Sequence, residues 1–328
     1  MILLCLQVLL SLAVLLYSAE KFVEGAAGSA RFLGLSPFLI GVFILGFGTS
    51  APEILVSVLS AMKGNPGVAL GNAYGSNIAN IGLVLGLTAM MKPITVLSKT
   101  LYKEMSFLVF VTLLTPFLFW DQTLGLFESI LLLGFFAFFV GWMLWTHITS
   151  PAVKGPFHEE SKKEIERSPL SPLKAFLFLG VGGLMLVISS KYLVEAAVDI
   201  ARLLNVSDLV IGLTLVAVGT SLPELFSSLV AIRKNEHALA FGNVIGSNLL
   251  NTLVVVGIAG IIKPFKADPE VLFRDLPLMV AATLALITLR LWQKTKNQIS
   301  RLEGGLYFTI YILYMLYLGL SAGSPQSP

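Results

Sequence analysis

The 328-residue chain has one cysteine, three histidines and little charge, with Asp, Glu, Lys and Arg together making up only 12 % of it. The lone thiol, Cys5, lies inside an apolar run, which excludes a disulfide framework and a thiolate metal cluster. His147, His158 and His237 are scattered, whereas a histidine metal centre needs ligands clustered at regular spacing. Soluble domains carry roughly a quarter charged residues. A chain that is 56 % hydrophobic with a mean hydropathy of +0.86 is therefore not an ordinary soluble domain. The formal net charge of +3 comes from loop lysines and arginines, which report orientation in a membrane rather than an anionic partner such as nucleic acid.

What the chain does have is a succession of apolar runs of about 20 residues, the length that crosses a hydrocarbon core about 30 Å thick. They recur too often to be a cleaved signal peptide. Ten spans are expected, at 2–24, 36–62, 67–91, 103–120, 123–147, 172–201, 207–232, 238–262, 272–292 and 304–321. The fold class that follows is an all-α polytopic membrane protein, with the lipid bilayer as its environment. No covalent chemistry, resident cofactor or obligatory protein partner is implied. Trp120, Trp142, Trp145 and Trp292 read as anchors at the membrane interfaces. The only long polar stretch, 150–171, contains His158-Glu159-Glu160-Ser161-Lys162-Lys163-Glu164-Ile165-Glu166-Arg167 and reads as a solvated linker. It is too short to hold an ion-sensing domain. All but six of the 22 Lys and Arg fall on the side of this linker, which is therefore expected to be cytoplasmic. With five spans on each side of it, both termini are expected outside the cell membrane.

The two halves repeat each other. Gly48-Thr49-Ser50-Ala51-Pro52-Glu53 recurs as Gly219-Thr220-Ser221-Leu222-Pro223-Glu224, and Gly71-Asn72-Ala73-Tyr74-Gly75-Ser76-Asn77-Ile78-Ala79-Asn80 recurs as Gly242-Asn243-Val244-Ile245-Gly246-Ser247-Asn248-Leu249-Leu250-Asn251. Both pairs have the same offset of 171 residues, which also maps Glu24 onto Glu195 and Lys92-Pro93 onto Lys263-Pro264. The organisation expected is a five-helix repeat over 1–149, a linker over 150–171 and a second repeat over 172–328. Because each half has an odd number of spans, the second enters the membrane inverted. Secondary transporters are built this way, with substrate sites near the midplane where the repeats meet.

Glu53 and Glu224 fall near the middle of apolar spans, where a charge costs about 2.5–3.5 kcal/mol on insertion scales. A bound cation would compensate that cost. On a helix, Thr49, Glu53 and Ser57 share a face, as do Thr220, Glu224 and Ser228, and so do Asn72, Ser76 and Asn80 with their counterparts Asn243, Ser247 and Asn251. Pro52 offers no N–H to the carbonyl of Gly48, and Pro223 none to that of Gly219, so both helices are expected to break just before the glutamate and free carbonyl oxygens there. Carboxylate, hydroxyl and carbonyl oxygens together are what hard cations require. Two carboxylates balance one Ca²⁺. The Gly-xxx-Gly spacings at 71–75, 82–86 and 242–246 also fit plain helix packing.

These paired segments resemble the two α-repeats of the Na⁺/Ca²⁺ exchanger family of the Ca²⁺/cation antiporter superfamily, in its compact prokaryotic form, along essentially the whole chain. The resemblance implies ten helices, with helices 2–5 and 7–10 as a core and two long tilted helices, 1 and 6, that slide to alternate access. It further implies that Glu53 and Glu224 are carboxylates shared by Ca²⁺ and Na⁺. Thr49, Ser50, Thr220, Ser221, Ser76 and Ser247 would serve flanking Na⁺ sites, with the carbonyls of Gly46 and Ala217, and Asn80 and Asn251 would complete the centre. Several relatives, K⁺-dependent exchangers among them, have Asp where this chain has Asn251, which argues against K⁺ cotransport. The function implied is K⁺-independent Na⁺/Ca²⁺ antiport. An H⁺/Ca²⁺ antiporter of the same fold is the alternative, although such relatives usually have Gly-Asn-x-x-Glu in place of the Thr- and Ser-bearing motif. A cation channel fits proline-broken inverted repeats less well.

Overall fold

The computed structural model describes residues 2–35, 37–95, 99–149, 170–204, 217–292 and 298–322, and nearly all of them are helical. The linker up to 169, the start of the expected seventh span and both chain ends lie outside the described residues. In chain order the helices are α1 (Ile2–Leu33), α2 (Phe38–Thr49), α3 (Ala51–Met62), α4 (66–91), α5 (Lys99–Leu118), α6 (Leu126–Thr149), α7 (Pro172–Leu203), α8 (Ala217–Thr220), α9 (Leu222–Arg233), α10 (His237–Ile262), α11 (271–292) and α12 (Arg301–Ala322). Helices α1, α6, α7, α10 and α12 are long and apolar enough to cross a membrane. The pair α2 and α3, bent by 47°, makes a sixth if taken as one broken span. The protein is thus an integral membrane protein of apolar helices.

Helix α1 runs nine residues past the expected end at 24 because its charges are paired rather than left at a frayed terminus. Lys21 reaches Glu24 at 3.0 Å, and Lys234 reaches Glu24 at 2.6 Å and Glu20 at 3.4 Å. Helix α4 and helix α10 both change to a wider π-helical turn at equivalent positions, Asn80–Leu85 and Asn251–Val255. Such turns cluster at functional sites.

The connections sort to two ends of the bundle. At one end, β1 (Ile94–Thr95) pairs with β4 (Gln298–Ile299), Lys92 bonds Asn235, Thr95 N–H donates to His237 Nδ1 at 3.2 Å, and Arg31 faces Glu236 at 3.6 Å. At the other, β2 (Thr123–Leu124) pairs with β3 (Phe265–Lys266), and Lys263 donates to the Gly64 carbonyl at 3.4 Å. Lys92 and Lys263 are related by the 171-residue offset, as are Gly64 and Asn235, which both have positive φ. Each half therefore closes its third helix onto a tight turn of the other half.

The helix α10 lies at the centre, with 83 % of its apolar stretch buried against 22 % for α1, α6 and α12, which present leucine and phenylalanine outward as lipid-facing helices do. Trp120 and Trp145 are exposed as interface anchors would be, whereas Trp142 packs on Phe107 and Phe139. The side chain of Trp292 lies outside the described residues. Two of the three small-residue spacings pack helices, since a methyl group on Gly246 would lie 2.3 Å from the Val42 carbonyl oxygen and one on Gly82 would lie 2.6 Å from Tyr311 Cβ, whereas nothing lies within 4 Å of one on Gly71 or Gly75.

Candidate cation site

Ser50 and Ser221 occupy the same place in the two halves and have nearly the same backbone, with φ −83° and ψ 8° against φ −87° and ψ 3°. At each, the helix stops and restarts one residue later with proline in its first turn, as the missing N–H of Pro52 and Pro223 requires. Glu53 and Glu224 thereby stand in the first turns of α3 and α9, where free N–H groups and the helix dipole favour negative charge. Both are buried at 1 % exposure.

The breaks of the two halves meet. Ser50 Oγ donates to Glu224 Oε1 at 3.0 Å, and Thr49 Oγ1 lies 2.9 Å from the Leu45 carbonyl and 3.1 Å from Asn243 Oδ1. Gly46 sits against the backbone of Gly246 and Ser247, and its carbonyl accepts from Ser50 N–H at 2.9 Å. Yet Glu53 Oε1 and Oε2 and Glu224 Oε2 accept no hydrogen bond, and neither Ser221 Oγ nor Ser247 Oγ makes one. None of the ion pairs among the described residues involves Glu53 or Glu224. Buried charges are ordinarily paired, so two buried carboxylates with no cationic partner among the described residues call for a bound cation to balance them.

Four of the amide groups on these helices donate to protein. Asn72 Nδ2 donates to the Glu53 carbonyl and to Ser57, each at 3.3 Å, and Asn243 Nδ2 donates likewise to the Glu224 carbonyl at 3.3 Å and to Ser228 at 3.1 Å. Asn80 Nδ2 donates to Asn248 Oδ1 at 3.0 Å, and Asn77 Nδ2 to Thr252 Oγ1 at 2.8 Å. These four NH₂ groups are thus bound by protein and Asn80 Oδ1 and Asn77 Oδ1 remain without a donor, whereas Asn248 is turned the other way, with its Nδ2 unbonded. Asn251 is fully buried, and neither atom of its amide makes a hydrogen bond. The unbonded amide oxygens of Asn77, Asn80 and Asn251 are of the kind that hard cations take as ligands. No group of three or more His, Cys, Asp or Glu occurs among the described residues, so the charge available is that of two carboxylates.

Of the sequence candidates, Thr49, Ser50, Glu224, Gly46 and Ser247 meet across the two halves, Glu53 accepts from Asn72 at its backbone carbonyl, Asn80 bonds Asn248, and Ser76 is buried on α4. Ser221 and Asn251 are buried on the same helices without bonds, Thr220 is half-buried, and Ala217 opens α8 with its side chain outside the described residues. Asn77, Asn248 and Thr252 fall outside the faces read from the sequence. Each lies one position beyond the i, i+4 face, but the repetition of Ser-Asn in both halves was a usable signal.

The known proteins this chain resembles agree with one another. The family model described as sodium/calcium exchanger protein matches residues 3–145 and 174–320. A candidate antiporter of Alkalimonas amylolytica, CaxA, is 43 % identical over 95 % of this chain and 97 % of its own length. The sodium/calcium exchanger MaX1 of Methanosarcina acetivorans is 30 % identical over 95 % and 97 %. A structure of the sodium-calcium exchanger NCX_Mj from crystals soaked with Na⁺ and Ca²⁺ superimposes with a TM-score of 0.80 at 32 % identity, covering 96 % of this chain and 98 % of that one.

Proposed function

Because the chain belongs to the sodium/calcium exchanger family, a family of ion transporters rather than enzymes, we propose that it exchanges Na⁺ for Ca²⁺ across a prokaryotic cell membrane by alternating access, without K⁺. The observation that carries this reading is the pair of buried carboxylates, one from each half, with three oxygens that accept no hydrogen bond and no cationic partner. On this reading Glu53 and Glu224 bind Ca²⁺ or Na⁺ in turn, and Asn80 and Asn251 complete the centre. Thr49, Ser50, Ser76, Thr220, Ser221 and Ser247, with the carbonyls of Gly46 and Ala217, serve Na⁺ beside it. A Na⁺ entering down a tenfold gradient supplies about 1.4 kcal/mol, and each net charge crossing 100 mV adds about 2.3 kcal/mol, so several Na⁺ can drive out one Ca²⁺.

The architecture belonging to this function is ten spans in two inverted five-helix repeats, 1–149 and 172–328, with the linker cytoplasmic and both termini outside. The constant 171-residue offset, the matched backbone at Ser50 and Ser221, and the reciprocal closure of the two bundle ends support it. The hydroxyls of Thr49 and Ser50 favour Na⁺ over H⁺, which needs no such ligands. K⁺ independence follows from the neutral Asn251. The deciding experiment is ⁴⁵Ca²⁺ uptake into proteoliposomes driven by an outward Na⁺ gradient, with and without a proton ionophore and with and without K⁺. Uptake that follows Na⁺ and ignores both additions is expected. Uptake driven by a proton gradient alone, in Na⁺-free vesicles, would replace Na⁺ with H⁺.

A further inference from the structure

Helices α1 and α7 cross with their backbones in contact: a methyl group on Gly25 would lie 2.3 Å from Leu179 N, and one on Gly182 would lie 2.7 Å from Phe22 N. They therefore act as one body. That body meets the two helix breaks differently. Ser190 of α7, buried, donates to the Gly219 carbonyl at 3.1 Å. This is the carbonyl that Pro223, four residues on, cannot satisfy. In the other half the equivalent of Ser190 is Ala19 of α1, which has no hydroxyl, although side chains of the pair cover both glycines, Phe22 lying 2.8 Å from where a methyl group on Gly48 would stand and Val194 2.3 Å from one on Gly219. Lys234 binds Glu24 and Glu20, and Arg31 faces Glu236, so these contacts too join the pair to the segment 217–236. Glu195, the counterpart of Glu24, pairs with Lys191 of its own helix at 3.7 Å.

We infer that Ser190 is a positioning residue that latches the α1–α7 body to the second helix break in only one of the two alternating states, so that it sets the ratio of ion affinities at the two membrane faces. The inference rests on the alternating-access reading above. A hydroxyl in α7 with no counterpart in α1 makes the two states unequal by one buried hydrogen bond, about fivefold in an equilibrium constant.

The test compares wild type with Ser190→Ala, Ser190→Thr and Ala19→Ser, none of which alters a proposed ion ligand. In purified ion-free protein, Ser190→Ala should raise backbone hydrogen exchange across 218–222 about fivefold, while Ser190→Thr, which keeps the hydroxyl, should return it to the wild-type level. In oriented proteoliposomes, the ratio of half-saturating Ca²⁺ at the two faces should shift about fivefold in Ser190→Ala and in the same direction in Ala19→Ser, where a second hydroxyl would hold the opposite state and so remove the inequality. Folded Ser190→Ala protein with unchanged exchange and an unchanged affinity ratio would overturn the latch. So would a shift that Ser190→Thr fails to restore, since packing rather than the hydroxyl would then be its cause. The exchange measurement needs no transported ion, so a wild-type protein without Na⁺-driven flux would refute the proposed function separately.

Discussion

Replacing Glu53 with Gln removes a charge at almost constant volume, and the surroundings of Glu53 set the sign of the effect. Its carboxyl is buried, neither oxygen accepts a hydrogen bond, and none of the described ion pairs includes it. A mid-span charge costs about 2.5–3.5 kcal/mol on insertion scales, and a buried amide left short of partners costs about 1–3 kcal/mol, so the exchange should stabilise the ion-free protein by about 1 kcal/mol. Bound cation reverses the order. Ca²⁺ at a hundred times its dissociation constant stabilises a protein that binds it by about 2.7 kcal/mol, an increment the variant should lose. Thermal unfolding in detergent at alkaline pH, where the carboxyls are ionised, reads both effects. Without ions the variant should unfold above wild type, and with saturating Ca²⁺ below it. A variant less stable than wild type without ions, or one that keeps the full Ca²⁺ shift, would refute the reasoning.

Other substitutions probe the parts separately. Ser50→Ala removes a donor to Glu224 and a proposed Na⁺ oxygen, and with Ser221→Ala it should raise the Na⁺ needed for half-maximal exchange more than the Ca²⁺ needed; equal changes in flux titrations would count against a Na⁺-specific role. Asn251→Asp adds a third carboxyl to the centre and should introduce K⁺ sensitivity absent from wild type; fluxes that superimpose with and without K⁺ in both proteins would place residue 251 outside the ion site. Gly246→Ala would force a methyl group to 2.3 Å from the Val42 carbonyl oxygen, and such overpacking should lower stability by about 1–3 kcal/mol in denaturation assays.

The sequence made the membrane class, the 171-residue repeat and the Gly-Thr-Ser-x-Pro-Glu breaks readable, because hydrophobic length and proline's missing N–H act locally. The conformation of Ser50 and Ser221 is the outcome that argument predicts. What escaped depends on tertiary placement. Helix α1 outlasts residue 24 because Lys234, more than two hundred residues away, pairs with Glu20 and Glu24. The π-helical turns at Asn80 and Asn251 leave no mark in the pattern of apolar residues, and a strict i, i+4 face passed over Asn77 and Asn248. The repeat also predicts symmetric bonds, but the structure departs from symmetry: Ser50 binds Glu224 while Ser221 leaves Glu53 alone. A molecule held in one of two alternating states has such an asymmetry, and no reading of two equal motifs reveals it.

The claim at the centre of this account is that one site, closed by a carboxylate from each half, takes Ca²⁺ or Na⁺ but not both. Calorimetric titration of Ca²⁺ into purified protein at rising Na⁺ tests it most directly. Na⁺ should weaken Ca²⁺ binding competitively, with no limit at high Na⁺, and Glu53→Gln and Glu224→Gln should each abolish the Ca²⁺ heat. Ca²⁺ affinity indifferent to Na⁺, or full binding by either folded variant, would contradict it.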